Sequence, residues 1–385
     1  MVGLLSNPPL SLYVHMPWCV RKCPYCDFNS HAAPESLPAE EYIRALIADL
    51  EQDLPLTWGR PVGSIYFGGG TPSLFSAGQI AEFLSAARAR LDLRPDVEIT
   101  LEANPGTIEH DSFSAYAQAG INRVSLGVQS FDDDLLKSIG RIHGREEIEQ
   151  SLLSLESAGI SNFNIDLMYA LPRQSPDQSR RDVELAIRAG PAHISFYQLT
   201  IEPNTAFAVQ SPVLPVDDMA WDMHQTGLEM LEAAAFEQYE ISAFAQADQQ
   251  SRHNMNYWRY GDFLAVGAGA HGKITLPAED KVQRYAKHRH PRRYLQGLES
   301  GDWLAESRLL NSEERVFEFF LNQLRLKQGV YIDDFSARTG LSWQVVESRV
   351  QQAIDKGLLE VHHAHVRPTE LGWRFVNDIQ QLFLS

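Results

Sequence analysis

The chain has 385 residues, of which 33 are Lys or Arg and 50 are Asp or Glu, for a formal net charge of −17; 44% are hydrophobic. Ordinary hydrophobic, aromatic and charged fractions exclude a disordered, collagen-like or disulfide-stapled chain. The acidic balance excludes nucleic acid as a bulk electrostatic partner, because neutralising phosphates needs a local excess of Lys and Arg. No apolar run approaches the roughly 18 residues of a membrane span, and residues 1–9 lack the basic start and apolar core of a signal peptide, so a cytoplasmic protein is expected.

Up to about residue 245 short β-branched or aromatic runs alternate with longer amphipathic segments, the pattern of repeated βα units. Strands are expected near 12–15, 64–67, 97–102, 123–128, 162–167 and 193–199. Tyr42, Leu46 and Leu50 recur at helical spacing, as do Ile80 and Leu84. Gly59, Gly120 and Gly159 stand where helices should hand over to strands. Six such units make an α/β fold, a partial (β/α)6 TIM-like barrel over residues 1–245. Such a barrel gathers its chemistry at the C-terminal ends of its strands. There the sequence places the loop Gly68-Gly69-Gly70-Thr71-Pro72, then Glu102, Gln129 and Asp166.

Residues 246–312 read as a connecting segment. It carries His253-Asn254-Met255-Asn256-Tyr257-Trp258, the glycine-rich run ending at His271, and a basic stretch over 281–293 with six Lys or Arg and no acid. A charge run of this kind is ordinarily a solvated linker or helix face, with an anion or partner contact as the alternative. His271 reads as a turn residue. Residues 313–385 are mostly helical, followed by a two-stranded ribbon and a last helix, resembling a winged-helix module; ten acidic against eight basic residues turn that module away from DNA and toward packing or protein contact. The ribbon's His362, His363 and His365 read as solvated surface.

All three cysteines fall in one loop after the first strand, as Cys19-x3-Cys23-x2-Cys26. An odd count in a chain without secretory features argues against a disulfide framework. A structural zinc site wants four ligands, and His15 or His31 could supply the fourth. Three thiolates on a four-iron cluster, by contrast, leave one iron open to a ligand, as a working metal site does.

Cys19, Cys23 and Cys26 with Tyr25 before the last, followed by the Gly-Gly-Gly-Thr-Pro loop, resemble the radical S-adenosylmethionine (SAM) superfamily. The resemblance implies a [4Fe-4S] cluster whose open iron is chelated by SAM, and cleavage of the sulfonium by an electron from the reduced cluster. Over nearly the whole chain the sequence is similar to the branch of oxygen-independent coproporphyrinogen oxidase. By that resemblance Tyr13, Tyr25, Gly69, Gly70, Thr71, Glu102, Gln129, Arg141 and Asp166 are cofactor contacts.

Two features separate the chain from the oxidase. Phe28 stands where the oxidase pattern has a further cysteine, and only twelve residues precede Tyr13. The motif at His253, Tyr257 and Trp258 resembles that of the haem chaperone HemW family, and His253 would then be a haem ligand beside a flat wall of Tyr257 and Trp258. The resemblance implies haem as cargo, apo-haemoproteins of the respiratory chain as acceptors at the membrane surface, and leaves a homodimer open. His288 and His290, in the basic stretch, could face haem propionates. The alternatives are the oxidase or another radical SAM enzyme acting on a porphyrin, and a cluster-bearing structural or regulatory protein.

Overall fold

The computed structural model describes residues 7–57, 59–106 and 111–384. The first six residues of the stretch read above for a signal peptide lie outside them. Six βα units follow in order: β1 (Leu10–Met16), α1 (Ala39–Asp53), β2 (Pro61–Gly69), α2 (Ala77–Arg90), β3 (Asp92–Ala103), α3 (Phe113–Ala119), β4 (Arg123–Gln129), α4 (Asp133–Ser138) and α5 (Arg145–Ser157), β5 (Phe163–Tyr169), α6 (Pro176–Arg188), β6 (His193–Gln198) and α7 (Asp217–Ala233). Each strand covers the window expected for it to within a residue or two. The helices begin where short polar side chains can take the first free N–H groups. Ser76 with Gln79 and Ser175 with Gln178 form reciprocal caps. Gly120 ends α3 at φ 114°, a conformation that a side chain would strain, as the sequence suggested.

Strands β1 to β6 lie side by side in chain order, all parallel. Alternation gives them two unlike faces. Leu12, Val14, Ile65, Phe67, Ile99, Leu101, Ile165 and Leu167 are buried in the main hydrophobic core, which includes the flanking helices. The residues between them, Tyr13, Tyr66, Glu102, Ser125, Asp166 and Tyr197, are polar. A closed (β/α)8 barrel fills its interior with branched apolar side chains; here the interior is polar and the sheet remains open.

Beyond the six units the sheet grows at both edges. β7 (Glu237–Glu240) pairs antiparallel with β8 (Ala243–Ala245), which in turn pairs antiparallel with β6. On the other side, after α8 (Arg252–Trp258), β9 (Asp262–Val266) pairs parallel with β1. β10 (His271–Leu276), β11 (Lys281–Lys287) and β12 (Leu304–Leu309) then continue antiparallel to a total of twelve strands. The segment read as a connector is thus four strands of the main sheet. His271 opens β10 rather than sitting in a turn.

The basic stretch is β11 for its first seven residues, not a solvated linker. Lys287 is fully buried; its Nζ donates to Asp49 Oδ1 (2.5 Å) and Asp53 Oδ2 (2.8 Å). These two acids lie one turn apart on α1, more than 230 residues away, which is why no local charge pattern announces the pairing. Burial pushes the Asp49 carboxyl up to about 6 despite the lysine beside it.

The C-terminal part has its own core, with Phe319, Phe320, Phe335 and Phe383 inside it. Its order is α9 (Ser312–Gln323), β13 (Val330–Tyr331), α10 (Ile332–Thr339), α11 (Glu347–Asp355), β14 (Leu359–His362) and β15 (His365–Pro368). The expected ribbon is present, with β13 as a third strand beside β15. Among the described residues no helix is long and apolar enough to cross a membrane.

Candidate cluster and cofactor site at the barrel rim

The cysteine loop leaves the C-terminal end of β1 and returns at residue 31. A two-residue parallel ladder, Trp18 to His31 and Cys19 to Ala32, closes its base. Cys19, Cys23 and Cys26 are all free and half-buried. They face a cavity of about 150 Å³ lined also by Tyr25, Gly69, Gly70, Thr71, Glu102, Gln129, Arg141 and Asp166. Eight of the nine rim residues singled out in the sequence therefore meet around one space. The ninth, Tyr13, stands one layer below, its hydroxyl 3.0 Å from His15 Nδ1.

The donor set suits a cluster better than an ion. Among the described residues no three His, Cys, Asp or Glu side chains converge closely enough to hold a single metal ion. His15, considered as a fourth zinc ligand, is used on both nitrogens: Nε2 is 2.9 Å from Asn29 O, so it donates there and Nδ1 accepts from Tyr13. Burial lowers His15 to about 4, which keeps it neutral. Burial also pushes the Cys19 and Cys26 thiols up. Arg141 Nη1 donates to Cys23 Sγ at 3.6 Å, and its Nη2 donates to Asn104 Oδ1 and Gly127 O. A guanidinium fixed beside one of three thiols offsets the negative charge that thiolates and sulfides would bring. Three thiols, a cation and an adjoining polar cavity fit the ligand set of a [4Fe-4S] cluster.

The glycine loop fits for a reason the sequence did not show. A Cβ on Gly70 would lie 2.5 Å from Trp18 O and 2.8 Å from Met16 O, and one on Gly69, at φ 111°, would enter the His15 ring. The glycines let the end of β2 press against the end of β1, and their backbone is left facing the cavity. Gly70 N–H donates to Met16 O and Thr71 N–H to Trp18 O (both 2.7 Å), which locks the two strand ends together.

Glu102 accepts from the Tyr66 hydroxyl on Oε1 (2.8 Å) and from Gly69 N–H on Oε2 (3.0 Å). Burial, with Asp166 nearby, pushes its carboxyl up to about 7 in spite of both bonds. Asp166 accepts from Asn164 Nδ2 (2.8 Å) and Ser125 Oγ (3.3 Å); burial raises it too. Gln129 holds φ 71°, a strained value for a residue with a Cβ, and its Oε1 accepts from the Tyr197 hydroxyl (2.8 Å). Asn104, Ser125 and Tyr197 also line the cavity, and Tyr66 supports it. Sequence reading passed over these four; the alternation from Glu102 to Asn104 and from Ser195 to Tyr197 was the signal available.

The structure places His253, Tyr257 and Trp258 elsewhere. Helix α8 packs beneath the N-terminal ends of the barrel strands, and the Glu98 carboxylate caps its first turn by accepting from the Arg252 and His253 N–H groups. His253 is 2% exposed, its Nδ1 lies 3.1 Å from Ser64 Oγ, and its ring stacks on Tyr66 at 4.8 Å. Its Nε2 is buried with no hydrogen-bond partner among the described residues, and burial lowers the imidazole to about 3. A macrocycle could reach that nitrogen only if α8 lifted from the barrel floor. Tyr257 packs on Phe263 at 4.2 Å, and Arg325 of the C-terminal part lies 4.5 Å over the Trp258 ring. In this arrangement the motif joins barrel floor, sheet extension and C-terminal part.

An open, polar-lined partial barrel with three thiols on the loop after its first strand defines a radical SAM protein. The sequence profile of the Radical SAM superfamily matches residues 13–186, and that of the HemN C-terminal domain matches residues 310–375. The chain belongs to the heme chaperone HemW family. It is 46% identical to heme chaperone HemW of Escherichia coli (strain K12), covering 99% of this chain and 100% of that protein. It is 46% identical to that of Haemophilus influenzae, covering 98% of each. The Bos taurus protein named radical S-adenosyl methionine domain-containing protein 1, mitochondrial, is 34% identical over 97% of this chain and 86% of its own. Among solved structures, coproporphyrinogen III oxidase (HemN) of Escherichia coli, described as a radical SAM enzyme, superposes with a TM-score of 0.82 at 23% identity, over 99% of this chain and 91% of that one; this likeness shows the shared fold.

Proposed function

We propose that this protein is a cytoplasmic haem carrier that binds haem and passes it to apo-haemoproteins of the respiratory chain, on a radical SAM scaffold. The observation that carries the reading is full-length similarity, at 46% identity, to proteins named heme chaperones. Cys19, Cys23 and Cys26 would hold a [4Fe-4S] cluster. Gly69, Gly70, Thr71, Glu102, Gln129, Arg141, Asp166 and Tyr25 would hold SAM beside it, with Tyr13 acting from the layer below through His15.

The bound cluster would supply an electron donor and an open iron for the amino and carboxylate groups of SAM. The chain's own residues do the rest. The N–H groups of Gly69, Gly70 and Thr71 are already donated to Glu102, Met16 and Trp18, so what the glycine loop offers a ligand is close approach to the backbone. Glu102 and Asp166 offer carboxylate oxygens to hydroxyls or an ammonium, and Gln129 is aimed by Tyr197. Their burial excludes water and strengthens each of these contacts.

The test is anaerobic reconstitution of the full chain, followed by separate additions of haemin and SAM. A haemin-dependent Soret shift, and loss of that band when an apo-haemoprotein is added and gains it, are expected. A protein that takes up iron and sulfide but never shifts the Soret band would overturn the carrier reading.

A further inference from the structure

The carrier reading leaves open where haem sits, and a second face of the cysteine loop answers in chemical terms. Asn29 Nδ2 donates to Ala268 O and to Arg289 O, each at 2.9 Å, and Gly269 N–H donates to His288 O at 2.9 Å. The cysteine loop, the start of β10 and the residues after β11 therefore share one surface, although they are some 240 to 260 residues apart. On this surface the rings of His31 and His290 stand edge to face with centroids 5.4 Å apart, and Lys22 Nζ donates to Phe28 O (3.0 Å). His271, Arg289 and His290 are exposed. Phe28 is 61% exposed and stands where this surface meets the cofactor cavity, which it also lines.

The charge is as unusual as the aromatic. In a chain of net charge −17 this face gathers cations and imidazoles, with Glu306 as the acid near His271. Asp302 pairs with Arg293 and lies 3.5 Å from His288, whereas among the described residues neither Lys22 nor Arg289 pairs with a carboxylate. Exposed aromatic, unpaired cations and accessible imidazoles are what a flat apolar ring with two carboxylates and a nitrogen-seeking iron requires.

We propose that the face formed by Lys22, Phe28, His31, His271, Arg289 and His290 is the haem seat, with His271 as the iron ligand. The roles follow from the nitrogens. His290 Nδ1 accepts the Arg292 N–H at 3.2 Å, so its proton sits on Nε2, which can donate to a propionate but offers iron no lone pair. His271 is exposed, and among the described residues its imidazole has no hydrogen-bond partner. Partial burial, with Arg284 and Arg289 nearby, lowers its proton affinity, leaving the neutral imidazole that binds iron. Arg289 and Lys22 take the propionates, and Phe28 covers the ring. Haem would then be seated at the edge of the loop that holds the cysteines, with Phe28 between it and the cofactor cavity.

The proposal rests on the carrier reading, and one titration separates the two. Cluster-loaded wild type, His271→Ala and Arg289→Glu are titrated with haemin by Soret absorbance and with metal-free protoporphyrin IX by fluorescence; unchanged visible absorbance of the cluster reports intact folding. Expected for His271→Ala are loss of the ligated Soret maximum, its return on adding imidazole, and protoporphyrin binding kept within about twofold. Expected for Arg289→Glu is about tenfold weaker binding of both probes, as for a lost charge-assisted hydrogen bond. Wild type that binds haemin while both variants match it in Soret position and affinity overturns this seat and leaves the carrier reading standing. Wild type that binds no haemin overturns both.

Discussion

Rim and floor of this barrel are ends of the same six strands, yet they are built to opposite specifications. At the rim, thiols, carboxyls and amide groups are buried and aimed at a cavity: Glu102 and Asp166 keep partners on one side and face open space on the other. At the floor, α8 seals the strand ends, and its histidine, tyrosine and tryptophan spend their surface on Tyr66, Phe263 and Arg325. Tyr66 links the two. Its ring stacks on His253 below while its hydroxyl donates to Glu102 above, and Glu102 in turn holds the Gly69 N–H. A motif that reads as a ligand set in sequence can thus bear on the cofactor rim from beneath, by packing.

Perturbing the two ends should separate them. The largest effect is expected at the rim, where changing Cys19, Cys23 or Cys26 to Ser should abolish the visible absorbance and iron content after reconstitution while far-ultraviolet circular dichroism stays as in wild type. Iron retained at wild-type stoichiometry would remove that cysteine from the ligand set. At the floor the pattern should reverse. His253→Ala, which empties a buried aromatic site, should cost about 2–4 kcal/mol in urea unfolding yet leave the cluster spectrum in place; loss of the cluster with unchanged stability would erase the distinction drawn here.

Proton linkage offers a sharper division. His253 is lowered to about 3 by burial, so between the ordinary imidazole range and that value the unfolded chain binds the extra proton and the folded one does not. Stability should fall as pH drops below about 6.5, by up to about 1.4 kcal/mol per pH unit from this group, and His253→Gln should flatten that slope. Glu102 runs the other way. Its carboxyl is raised to about 7, so its contribution is present at low pH and is lost as pH rises from about 4.5 to 7. Glu102→Gln should therefore be more stable than wild type at pH 8, and on the proposed role it should bind SAM more weakly. A stability profile of Glu102→Gln parallel to wild type between pH 5 and 8 would show that this carboxyl does not titrate there. The smallest effect should come from the link itself: Tyr66→Phe removes one donor from Glu102 and should cost about 1 kcal/mol, with a measurable fall in SAM affinity by calorimetry.

Much of the fold was legible because strand alternation and helix caps are local. The six barrel strands follow from short runs such as Ser64 to Phe67, and the rim residues follow from where those runs end. The edges were not legible. β9 to β12 lie in a stretch whose glycines and charges look like linker; β11 is a strand through its ladders with β10 and β12, and its Lys287 is buried because it meets Asp49 and Asp53 of α1. Sequence spacing carries no trace of a contact across more than 230 residues.

The amino-acid sequence by itself determined the cysteine triad, the glycine loop and the polar inner face, since each is set by residues within a few positions of one another. Only the tertiary structure decided which of these meet, because that depends on which strand ends are packed together. Packing brings eight rim residues around one cavity and buries His253 beneath Tyr66. It also brings exposed His271 and His290 to half-buried His31 of the cysteine loop, some 240 to 260 residues away in the chain.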